Sequence, residues 1–318
     1  SAVGTFTLTG NITAGTTIVI AVADYRIGIG QTVTATTYIP AGVTVSNVVV
    51  AGSTTTVTTT GPAMTVQSGV SITFDNNIAV SGGAVMLYPY MFVYGNNGLL
   101  QNCAAGDFTN WVSADSNSNN VSATKIVKGM ALRGGTTSPA GLFWSLDSLI
   151  RVTYAPQTVG AATLYWRYDT ISGQSSILSS QSVIEYDGII YWCGVDRFLA
   201  YNGVVQEVEN NVNINYFFDN LNYAQRQKVW AAKVPRWGEI WWFYPKGDAT
   251  ECTDAIILNV RDKVWYDTGE ALGARRSAGT FSEVFRNPIW AGNTADSAGK
   301  YALWQHETGV NEVYLTNV

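Results

Sequence analysis

The chain has 318 residues, 47% of them hydrophobic and only 13% charged, with a formal net charge of −5. That length holds one large domain or two ordinary ones. The acidic balance excludes a protein that grips nucleic acid through a broad basic face. So few charges also point to surface covered by neighbouring subunits. Three widely spaced cysteines, Cys103, Cys193 and Cys252, with a single histidine, His306, offer no metal-ligand spacing. They read as buried free thiols of a protein assembled in a reducing compartment. No apolar run suffices to cross a bilayer and no signal peptide is recognisable. The first residue is Ser1 rather than Met, which leaves processing or further upstream sequence open.

Residues 1–80 differ in composition from the rest. Their one basic residue is Arg26, and every tryptophan of the chain lies beyond residue 110. Runs such as "TGNITAGTTIVIAVA" and "STTTVTTTGPAMTVQSGVSITF" alternate β-branched Thr, Val and Ile, the pattern of strands that bury one face. Pro40-Ala41-Gly42 and Gly61-Pro62 punctuate them as turns. A small separate all-β module is expected here, with disorder as the alternative for so Ser/Thr-rich a segment.

From residue 81 a unit recurs about every 50 residues, a period that signals a propeller or array. Its hairpins are "MFVYGNNGLLQN", "GLFWSLDSLIRVTY", "GIIYWCGVDRFLAYNG", "GEIWWFYP" and "NPIWAGNTADSAGKYALW". Flanking strands, among them "KIVKGMALRG" before and "NWVSA" or "NEVYLT" after, bring each unit to four strands, the anatomy of a propeller blade. The predicted fold is therefore all-β. It comprises a module over 1–80 and a propeller region over 81–318, with about five blades at 82–115, 125–170, 180–210, 228–269 and 277–317. Between the third and fourth blades, residues 214–228 carry Phe217, Phe218, Leu221 and Ala224 at helical spacing, which predicts a short helix. Twisted sheets diverge outward from an axis, so large flat side chains must fill the gaps. Trp241, Trp242 and Trp265 are accordingly expected between blades, each contributing about 2–3 kcal/mol on burial.

Little in the chain suggests chemistry. His306, in "LWQHETG", is the only possible base of a Ser-His-Asp arrangement, and a lone histidine at a turn reads as structural. Neither "YGNNG" nor "RGG" has the context of a phosphate-binding loop. The enzymatic rival is a glycosidase, whose paired carboxylates could come from Asp147, Glu185, Asp187, Asp196, Glu239 or Asp267. Most of these occupy turns such as "YDGII" and "GVDRF", where Asp caps the turn. Arg275-Arg276 could make subunit or loose phosphate contacts, though a solvated turn is the plainer reading. No catalytic, cofactor or metal residue is nominated.

The stretches "SSQSVIEYDGIIYWCGVDRFLAYNGVVQEVENNV", "QKVWAAKVPRWGEIWWFYP", "AIILNVRDKVWYDTG" and "RRSAG" resemble the propeller region of tail nozzle proteins of short-tailed phages, and "LYPYMFVYGNNGLLQNCAAGDFTNWVSA" fits the same pattern. These are also called tail tubular or packaged-DNA stabilisation proteins. The resemblance covers residues 84–285. It implies a virion protein assembled in the host cytoplasm as a homohexameric ring. Such a ring would sit below the portal and adaptor, retain packaged DNA and pass it at infection without sequence-specific binding. It would also offer attachment to tail fibres or spikes. An acidic lumen would repel a polyanion and let it slide. The alternative is a propeller glycosidase or glycan-binding tail component acting on host surface polysaccharide.

Overall fold

The computed structural model describes residues 5–75, 80–108, 110–111, 113–132, 138–160, 162–210, 214–269, 274–280 and 287–306. The chain forms two compact units, Ser1–Thr170 and Ile171–Val318.

The first unit opens with a closed barrel. Its strands are β1 (Thr5–Ala14), β2 (Thr17–Ile20), β3 (Thr32–Thr34), β4 (Thr44–Ala51), β5 (Thr54–Thr60) and β6 (Gln67–Asp75). They follow the order β1-β2-β5-β4-β3-β6, and β6 closes on β1 with Phe6 opposite Phe74 and Leu8 opposite Ile72. Alternation explains the core: Val57 points in between outward-facing threonines, and Ile12, Ile18, Val33, Ile72 and Phe74 fill the interior. Buried Thr55 remains satisfied, because its hydroxyl donates to the Val22 carbonyl (2.8 Å) and accepts from the Asp24 N–H (2.9 Å). The Ser/Thr-rich composition thus encodes a packed barrel, not a disordered segment.

Two four-stranded antiparallel meanders follow. The first sheet is β7 (Gly83–Leu87), β8 (Tyr90–Tyr94), β9 (Leu99–Asn102) and β10 (Asn117–Asn120). The second is β11 (Ile126–Ala131), β12 (Ala140–Ser145), β13 (Leu149–Val159) and β14 (Ala162–Ser172). Aromatic rings join them. Phe92 meets Phe143 at 5.7 Å, and Trp166 packs edge-on against Phe92 (4.7 Å) and Tyr90 (5.0 Å). Glycine makes the close approach possible. A Cβ on Gly129 would lie 2.9 Å from Phe143, Tyr94 and Val85 alike, inside the distance that real side chains tolerate.

The second unit holds the remaining sheets. The third is β15 (Ile184–Tyr186), β16 (Ile189–Cys193), β17 (Phe198–Tyr201) and β18 (Val205–Glu207). The fourth is β19 (Trp230–Val234), β20 (Glu239–Tyr244), β21 (Asp254–Asn259) and β22 (Val264–Thr268). In the fifth, β23 (Arg276–Thr280), β24 (Ile289–Ala295) and β25 (Tyr301–Gln305) are described. The strand expected from "NEVYLT" lies outside the described residues.

Trp242 and Trp265 sit in one core with Tyr186, Tyr191, Cys193 and Phe198, between the third and fourth sheets. Trp241 shares another with Phe243 and Trp290, between the fourth and fifth. Three of these indoles also find an acceptor, and Trp290 finds none among the described residues: Trp242 donates to the Ser182 carbonyl (2.9 Å), Trp265 to that of Glu209 (2.8 Å) and Trp241 to the Glu239 carboxylate (2.9 Å). That is how a large amphipathic ring is buried without leaving an orphan donor. The first strands of successive sheets are neighbours within each unit: β7 beside β11, β15 beside β19, and β19 beside β23.

Two expectations need correction. "NWVSA" does not form the outer strand of the first sheet: among its described residues, Trp111 donates to the Phe108 carbonyl (2.9 Å) and Ser113 and Ala114 turn. The strand is Asn117–Asn120, paired residue for residue with β9. A solvent-facing outer strand needs a backbone ladder rather than apolar side chains, and Asn120 reinforces it by donating to the Asn97 carbonyl (2.6 Å). Residues 214–228 form two pieces, α1 (Ile214–Asn220) and a 3-10 segment (Tyr223–Lys228). Asn222 divides them by capping the second, its side chain accepting from the Ala224 N–H (3.1 Å). Phe217 and Leu221 are buried, whereas Ala224 is exposed.

Candidate functional site

Four of the six carboxylates considered for glycoside chemistry, Asp147, Glu185, Asp196 and Glu239, are engaged locally. Asp147, in the β12–β13 turn, accepts from the Ser145 (2.8 Å) and Thr124 (2.9 Å) hydroxyls, which hold its pKa below the usual carboxylate range. Asp196, in the β16–β17 turn, is likewise held low by its Arg197 partner at 2.7 Å. Glu185 caps the β15–β16 turn by accepting from the Gly188 N–H (2.7 Å) and pairs with Lys233 at 3.5 Å. The neighbouring Asp187 instead supplies the turn's left-handed residue, with φ of 49°, so the capping expected of it belongs to Glu185. Glu239 accepts from the Trp241 indole and the Tyr266 hydroxyl. Asp267 is exposed on β22. A glycosidase needs two carboxylates facing one bond. Glu185 and Asp187 lie together at the β15–β16 turn, and the other four belong to different turns and strands.

His306 is part of a packed group. Its Nε2 accepts from Arg276 Nε at 2.8 Å, and its ring lies 4.0 Å from that of Trp290. Burial and the adjacent guanidinium lower its pKa to about 3, so the imidazole is neutral and acts as an acceptor. Arg276 is itself buried, its pKa lowered to about 10 by desolvation, while its own carbonyl accepts from the Trp230 indole (3.0 Å). This half of Arg275-Arg276 is therefore an interior element, contrary to the solvated turn expected of it.

All three cysteines are free and buried. Burial raises each thiol, that of Cys252 up to about 12 and that of Cys193 well above its ordinary value, which leaves them unreactive as nucleophiles. Among the described residues, no group of His, Cys, Asp and Glu side chains could hold a metal ion, and no helix is long and apolar enough to cross a membrane.

One surface was missed from sequence. Trp237, in the β19–β20 turn, is 45% exposed, unlike the tryptophans on the strands of that sheet. The Arg236 guanidinium lies 4.8 Å above its ring. The adjacent β21–β22 turn brings Arg261, which donates to the Pro235 (2.7 Å) and Arg236 (3.1 Å) carbonyls, and Lys263. The signal was the pairing of "PRWG" with "NVRDK" at one end of the same sheet.

No protein-family model matches the chain, and no curated protein matches it. Among solved structures it is similar to a phage phi92 endosialidase, at 13% identity and a TM-score of 0.27, over 91% of this chain and 46% of that one. The chain thus spans under half the length of that protein. A likeness at this level does not extend to shared activity.

Proposed function

We propose that the chain is a non-enzymatic structural component of a short-tailed phage virion. In this reading it is a ring-forming nozzle that continues the DNA channel below portal and adaptor, retains packaged DNA and passes it at infection. The observation that carries it is the repeated side-by-side placement of first strands, β7 with β11, β15 with β19 and β19 with β23, with indoles and phenyl rings filling the space between sheets. In a propeller, strands so placed are the inner ones of blades around an axis, and the sequence motifs that resemble nozzle proteins fall on these same sheets. Residues 1–80 are read as a separate barrel module, fibres or spikes as outer partners, and the assembly as a homohexamer. At −5 per chain the ring is acidic and does not hold DNA tightly.

Native mass spectrometry of the purified full-length protein, alone and with portal–adaptor complexes, tests this. A six-chain ring that joins those complexes is expected; a chain that stays monomeric at high concentration and never joins them contradicts it.

A further inference from the structure

We propose that the β19–β20 and β21–β22 turns form a weak contact site for the phosphodiester backbone of double-stranded DNA, made by Arg236, Arg261 and Lys263 with Trp237. It rests on the nozzle reading and adds the residues that touch the passing duplex.

Both turns lie at one end of the fourth sheet, because Glu239 pairs with Asn259 and Val264 pairs with that same Asn259. The side chains of Arg236, Trp237, Arg261 and Lys263 are all exposed. The chain's ion pairs elsewhere, such as Lys233 with Glu185 and Lys246 with Asp254, neutralise their cations locally. Arg236, Arg261 and Lys263 have no carboxylate within ion-pair distance among the described residues; Asp262 sits between two of them in sequence, and its backbone N–H donates to Asn259.

Two of the cations are held in place. Arg261 lies across Gly238, where an added Cβ would stand 2.7 Å from its side chain, and two backbone carbonyls fix its guanidinium. Arg236 stacks on the Trp237 indole at 4.8 Å, a cation–π contact that restrains its guanidinium. Pre-positioned cations lose less entropy when they meet an anion.

Donor and acceptor chemistry selects the partner. Arginine and lysine are donors only, and phosphate oxygens are acceptors only. A glycan presents hydroxyls that need acceptors as well, and the one acceptor side chain in these two turns is Asp262. Three phosphate contacts without base readout make a sequence-independent, salt-sensitive association, compatible with a duplex that must slide.

The test measures binding of a labelled random-sequence DNA duplex to the assembled protein by fluorescence anisotropy across a salt series. The parent is expected to show a log–log salt slope of about −2 to −3. R236Q/K263Q, which leaves the carbonyl-bound Arg261 in place, should weaken binding about tenfold and reduce the slope by about 2. D262N should tighten binding, a gain that misfolding cannot imitate. Unchanged binding in both variants overturns the proposal, as does equal binding of an anionic polysaccharide with the same response to the substitutions. Native mass of the same samples separates this from the nozzle reading: an intact ring with unaltered DNA binding removes the contact site alone.

Discussion

The barrel and the sheets that follow solve the same problem in opposite ways. The barrel closes its hydrogen-bond ladder on itself, so aliphatic side chains around Phe74 and Ile72 complete its core and no strand edge remains. Each later sheet is open and, on its aromatic faces, incomplete until its neighbour covers them, as Trp242 and Phe198 do at 5.0 Å between the third and fourth. One region is stable by closure, the other by stacking, and the composition break near residue 80 marks the change from β-branched to aromatic filling.

The largest effects should come from removing the two kinds of core. Trp242→Ala deletes a ring shared by two sheets and should cost about 3–5 kcal/mol. Phe74→Ala should cost a similar amount in the barrel. If the regions are independently stabilised, denaturant unfolding followed by tryptophan fluorescence shifts strongly for the first variant and little for the second, since every tryptophan lies outside the barrel. Equal shifts for both would show that barrel and sheets unfold as one.

Next in size is overpacking at a sheet–sheet approach. Gly129→Val places a side chain against Phe143, Tyr94 and Val85 and should destabilise by about 1–3 kcal/mol. Thermal melts of this variant beside Gly52→Ala will show whether close approach, rather than loss of glycine itself, is responsible. Gly52 has open space around it but a φ of 60°, so its substitution carries only backbone strain.

Acid sharpens the comparison further. His306 has its pKa lowered from 6.5 to about 3 in the folded chain, so between those values the unfolded state binds the extra proton. Its contribution to stability is therefore complete above pH 6.5 and declines as pH falls towards 3. His306→Gln, which can still accept from Arg276, should flatten the pH dependence of the melting temperature in that window. The barrel contains no histidine, and its Asp24, held low chiefly by its hydrogen bond with Arg26, loses stability only at pH below the ordinary carboxylate range. The smallest effect is expected at Arg197→Ala: its pair with Asp196 is exposed on both sides and should be worth about 0.2–1 kcal/mol by double-mutant cycle.

Hairpins such as Gly238–Asn259 were legible because aromatic runs between polar turns have few other outcomes. The outer strand β10 was not, since "NSNN" has no apolar face and is held by the ladder to β9. Asn222 dividing the helical segment could have been read as a cap. By contrast, the contact of Arg276 with His306 joins residues 30 positions apart and leaves no local trace. Trp237 was not singled out from the sequence, because residue type alone does not distinguish a turn-tip ring from a strand-centre ring. The Glu185 cap was misassigned to Asp187 because both are acidic and only the backbone angle separates their roles.

The claim underlying all of this is that the aromatic faces are wedges between sheets arranged around an axis and built into a tail. Electron cryo-microscopy of the virion tests it most directly. The account predicts density in which the sheets radiate from a common centre, with Trp241 and Trp242 enclosed between neighbours and copies of the chain ringed about the tail channel. Sheets without a shared axis, those indoles lining an open groove, or absence of the chain from the tail would contradict it.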